Sequence, residues 1–164
     1  MPQLLDKVRT NVNCCGIEVA FSGTSVPSTI AGWQPFFNET FTEADFTKSG
    51  ASISSIRFSE ASGEINGNKF FKQKVVWSFP HNDQYRAERI ALLHTLKFIK
   101  VKLSNGSDIV IGRNDIAQNS LPNIKSENNQ NLCEVTVEVQ SISPAGFTPN
   151  LNQYALPSFI PLSF

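Results

Sequence analysis

At 164 residues, with 40% hydrophobic and 17% charged side chains, the chain is long enough to bury one core without disulfide or metal staples. Fourteen basic residues balance fourteen acidic ones, so no net positive field draws it to nucleic acid. Its longest apolar runs fall short of the ~20 residues that span a bilayer, which gives no case for a membrane partner.

Residues 1–16 (MPQLLDKVRTNVNCCG) have no apolar stretch between their charges and do not read as a secretory leader; at most 2–12 make a short helical turn. Gly16–Phe21 alternates as a strand, with Ile17, Val19 and Phe21 on one face and Glu18 and Ala20 on the other. Residues 22–50 hold three Gly and two Pro among many Ser and Thr, and read as one long loop. Trp33, Phe36, Phe37, Phe41 and Phe46 sit in it without any period. Rings on irregular segments either fold back on their own domain or are buried by another chain.

Ile53–Phe58 and Phe70–Phe79 read as strands of a long hairpin, with a projecting tip marked by Asn66-Gly67. On the second strand Phe71, Gln73, Val75, Trp77 and Phe79 share one face, and Lys72, Lys74, Val76 and Ser78 the other. One side is core, and the other meets solvent or a partner.

Pro80 ends that strand. Asn82 or Asp83 supplies acceptors for the first free N–H groups of a helix over 82–96. Ala87, Ile90, Leu93 and Leu96, joined by Leu92, give it an apolar stripe; Arg86, Arg89 and Lys97 turn outward. The hairpin that follows admits two registers about Asn105-Gly106. Only a three-residue loop, Ser104-Asn105-Gly106, gathers Ile99, Val101, Leu103, Ile109 and Ile111 on one face and sets Lys102 against Asp108. A one-residue slip would send every side chain to the wrong side, so burial selects this register, with Gly106 left-handed.

Residues 113–131, rich in Asn and poor in apolar residues, read as a loop. Leu132–Gln140 alternates strictly: Cys133, Val135, Val137 and Val139 face one way, Glu134, Thr136, Glu138 and Gln140 the other. From Ser143 four prolines and no period leave an extended apolar arm over 148–164, carrying Tyr154, Phe159 and Phe164. It packs on its own domain or docks on another subunit. The expected architecture is a mainly β fold, a β-sandwich or small barrel with one amphipathic helix packed on it, in a single domain over 1–147.

Catalytic signals are sparse. His94 on the helix and His81 at the strand–helix junction read as structural, the latter bonding the nearby loop. No metal-ligand spacing, nucleophile elbow or phosphate-cradling glycine loop occurs, and no cofactor is expected. Cys14 and Cys15 lack the spacing of a zinc site and read as small buried apolar residues. With Cys133 they make three, not a disulfide framework, so reduced thiols made in a cytoplasm are the simpler reading. Glu134 and Glu138 have no apolar pocket to raise a pKa, so they read as a solvated strand face rather than a glycosidase pair.

The run FKQKVVWSFP, the helix ending in LLHTLKFIKVKLSNGSDIVIG, the Asn-rich loop and the closing LCEVTVEVQSISPAGF resemble tail-tube-type and related virion structural proteins of tailed phages, most of all those of Bacteroidetes phages. The likeness spans Gly67 to Phe147 and rests on element order, with Leu96, Gly106, Gly112 and Phe147 in place. It implies a subunit without enzyme activity that closes with copies of itself into a ring, usually a hexamer, around a DNA passage. DNA passes without sequence-specific binding, other virion proteins are neighbours, and the protein resides in the virion. Trp33, Phe36, Phe37, Phe41, Tyr154, Phe159 and Phe164 are then candidate subunit-interface residues, and Glu134, Thr136 and Glu138 a candidate lumen face. The alternative is a β-sandwich attachment module for carbohydrate or peptide, with Trp33, Phe36, Phe37 and Trp77 as stacking residues.

Overall fold

A computed structural model describes residues 12–22, 45–112, 114–118, 120–142 and 144–147. The aromatic residues of 33–41 and the 148–164 arm lie outside them. Strands β1 (Cys14–Ala20), β2 (Thr47–Lys48), β5 (Phe98–Leu103), β6 (Asp108–Ile111) and β9 (Gly146–Phe147) form one antiparallel sheet, in the order β2-β1-β5-β6-β9. Strands β3 (Arg57–Ile65), β4 (Asn68–Pro80), β7 (Asn123–Asn128) and β8 (Leu132–Ser141) form a second, in the order β3-β4-β8-β7. Helix α1 (Arg86–Leu93) lies in the connection from β4 to β5 and is the only α-helix among the described residues.

Alternation decides what each sheet buries. Ile17, Val19, Ile99, Val101 and Ile111 of the first sheet meet Val75, Trp77, Phe79, Cys133, Val135, Val137 and Val139 of the second in one core, closed by Leu93 and Leu96. Each such side chain, fully buried, stabilises by about 1.5–3 kcal/mol. The hairpin register is the one burial selects: Val101 faces Ile109, Lys102 faces Asp108, and Leu103 N–H donates to the Ser107 carbonyl. Gly106 has φ +83°.

The long hairpin is extended almost throughout. Its strand begins at Arg57, after a 3-10 turn at Ile53–Ser55, rather than at Ile53, which is exposed. Asn66 and Gly67 both have positive φ, which a two-residue hairpin turn requires.

Three expectations need correction. The Asn-rich 113–131 stretch is not all loop: it holds a 3-10 turn at Asp115–Ala117 and the edge strand β7. Only Ile124 of β7 reaches the core, because an edge strand beside a solvated face needs little apolar content. The helix is shorter than 82–96, since the N–H groups of His94, Thr95 and Leu96 turn back to carbonyls three residues earlier and tighten its end. Ala87 and Leu92 point outward, leaving Ile90 and Leu93 as its inner face.

The third concerns the cysteines. The β1–β5 register shifts between Cys14 and Gly16, so Cys14 turns inward while Cys15 stands exposed on the bulge. Burial pushes the Cys14 thiol up, against the Phe58 backbone hydrogen bond that lowers it.

Candidate assembly interface

The outward face of the second sheet is a polar plane built by strand pairing. Successive rows across β7, β8, β4 and β3 read Lys125–Thr136–Val76–Arg57 and Asn123–Glu138–Lys74–Ser59. A shorter row, Glu127–Glu134–Ser78, ends where β3 has not yet begun. The three predicted lumen residues therefore share one face, with Glu134 exposed and Thr136 and Glu138 half-buried. Glu138 holds two cations, Lys72 at 3.4 Å and Lys74 at 3.7 Å. Glu134 faces Glu127 directly, and neither has a cation partner among the described residues.

Charge on this plane is divided along the strands. Arg57, Lys72 and Lys74 lie on β3 and β4, whereas Glu134, Glu138 and Glu127 lie on β8 and β7, with Lys125 among them. Among the described residues both outer strands, β3 and β7, pair on one side only. Among the described residues β3 is the longer edge, nine residues without Lys or Pro, the usual means of blunting one.

The first sheet's outward face is different. Glu18 bridges Lys100 at 3.5 Å and Lys102 at 3.4 Å, and Lys102 reaches Asp108 at 3.4 Å. Burial works against the Lys102 charge, but Asp108 and Glu18 outweigh it and hold the ammonium above its usual value. Beside this ladder Ala20, Phe98 and Val110 form a small buried patch packed with Phe46, and the Lys100 ammonium sits 4.1 Å from the Phe46 ring centre. Phe46 thus folds back on its own domain.

His81 and His94 are both bound structurally. Buried His81 accepts Arg86 Nε–H at Nδ1 (2.9 Å) and donates from Nε2 to the Asn129 carbonyl (2.9 Å). The neutral ring with its proton on Nε2 satisfies both bonds. Exposed His94 meets Ser126 Oγ at 3.3 Å. A cleft of about 400 Å³ is walled by Phe79, Pro80, Leu93 and the Arg89–Asp83 ion pair. No group of three or more His, Cys, Asp or Glu converges on a metal position among the described residues.

Trp77 is removed from the stacking set, because it is fully buried in the core. Trp33, Phe36, Phe37, Phe41, Tyr154, Phe159 and Phe164 lie outside the described residues. Missed from the sequence were β7, and with it the opposition of Glu127 to Glu134. The available signal was Ile124 alone among alternating polar residues, ahead of an Asn-rich turn in which Asn129 Oδ1 accepts the N–H groups of Asn131 and Leu132. No family model, curated protein or solved structure matches the chain.

Proposed function

We propose that the chain is a structural subunit of a bacteriophage particle, of the tail tube or of an adjoining ring, connector or completion protein. Copies close into a ring, a hexamer by the resemblance, around a passage for DNA. The observation that carries this reading is the second sheet, whose outward face is polar while both edge strands stand unpaired among the described residues. A lone β-domain with such edges risks uncontrolled pairing, and ring closure removes both at once. The sheet order makes β3 and β7 antiparallel to each other within one copy, so the β7 edge of one subunit meets the β3 edge of the next as an antiparallel pair. Glu134, Thr136 and Glu138 then line the lumen, keeping it wet and largely non-adhesive to DNA.

Native mass of the purified protein, with negative-stain images of the same sample, tests the reading. Rings or tubes are the expected result. A strict monomer across a wide concentration range overturns it and directs work to a glycan screen for an attachment domain.

A further inference from the structure

The divided charge on the second sheet says how its edges meet. Glu127 and Glu134 stand side by side on β7 and β8, and neither makes an ion pair among the described residues, an arrangement that repels by itself. Arg57, on the opposite edge of the same face, is exposed and makes no ion pair among the described residues. We propose that Arg57 of one copy seats between Glu127 and Glu134 of the next, so that the contact between copies is β3 on β7 with a two-residue offset. This rests on the building-block reading above and names the register of its interface.

The occupant follows from charge complementarity. Two copies meeting β3 to β3 leave Arg57 without a carboxylate, since that edge carries none on this face, and β7 to β7 gathers four carboxylates against two copies of Lys125. Only the head-to-tail pairing sets the basic half of one sheet against the acidic half of the next. The offset follows from the rows. Arg57 lies in the row of Lys125, so edges joined without a shift would place two cations together. A slip of one residue would turn the polar face inward on one partner, whereas a slip of two keeps every side chain on its face. It brings Arg57 to the row of Glu127 and Glu134. A closed barrel also needs a stagger between its strands, which an unshifted seam could not supply.

Charge exchange and cross-linking test this together. R57E alone and E127R alone should each raise the concentration needed for assembly at least tenfold, and R57E/E127R should restore it. All three should keep the wild-type circular dichroism and monomer melting temperature, because both sites are exposed. In a Cys15→Ser background, R57C/E127C should oxidise to disulfide-linked ladders and R57C/K125C should not, since positions two apart on a strand differ by about 6.6 Å and a disulfide tolerates far less. Assembling wild type whose charge variants behave independently, or which cross-links through Lys125→Cys instead, overturns this contact and leaves the building-block reading standing. Wild type that never assembles overturns both.

Discussion

Gly112 is pressed against the backbone of Lys97. A Cβ at that position would strike the Lys97 carbonyl oxygen and come within 2.9 Å of Phe98 Cα, and the glycine holds φ at +139°. Gly106, also left-handed, has open space around it. The two glycines thus separate crowding from conformational strain. Gly112→Ala should cost about 2–5 kcal/mol, strain and overpacking combined. Gly106→Ala should cost only about 1–2 kcal/mol, from the left-handed backbone. Urea denaturation of both variants measures the difference, and equal losses would refute it.

His81 ties three elements, through Arg86 of the helix and the Asn129 carbonyl at the turn before β8. His81→Ala should destabilise by about 1–3 kcal/mol, because a buried ring is lost together with the two part-buried hydrogen bonds it makes. His94→Ala, at an exposed side chain, should stay within about 0.5 kcal/mol. Thermal melts of both variants check the contrast, which would fail if His94 proved the costlier.

Trp77 is fully buried with an indole N–H that has no hydrogen-bond partner among the described residues. Trp77→Ala should cost about 3–5 kcal/mol through the cavity it opens. Trp77→Phe should lose markedly less, since it keeps most of the ring and removes an unpaired donor. Equal losses from the two would show that the N–H is not unpaired in solution. The melting curve followed by far-UV circular dichroism reads both variants.

Cys133 is buried, and burial pushes its thiol up against the lowering influence of Arg86. Cys14 is raised mainly for the same reason. A raised thiol pKa in the folded state favours folding while the unfolded thiol stays neutral, and the unfolded chain gains by ionising once pH exceeds the ordinary 9.0. Stability should therefore begin to fall above about pH 9, and fall less in Cys133→Ala relative to its own neutral-pH value. At neutral pH a maleimide should label Cys15 quickly and the other two slowly. Fast labelling of two sites in the folded protein would contradict the bulge.

Local features were the legible ones. The 98–111 hairpin could be read to the residue because five apolar side chains and one Lys–Asp pair agreed on a single register. The alternation of β8 and the inward run from Phe71 to Phe79 were equally plain. What escaped was decided by partners far along the chain. Strand β7 is half-solvated and takes its shape from β8, so Ile124 is its only inward anchor in the core. The β1 bulge exists because Cys14, not Cys15, packs on the core, which no period of two can announce. Glu134 and Glu138 were legible as one face, but their different fates depended on which strands flank β8: lysines on one side, Glu127 on the other.

The chain deals its strands alternately: β1 and β2 to one sheet, β3 and β4 to the other, β5 and β6 back to the first, β7 and β8 to the second, β9 to the first. The seams that join each sheet, β1 with β5 and β4 with β8, both span the helical connection. A polypeptide severed between β4 and α1 would thus yield two pieces, each carrying an unfinished portion of both layers. Like interlaced fingers, the halves have no separate shape to keep, and the molecule takes form only when the second half of the chain meets the first.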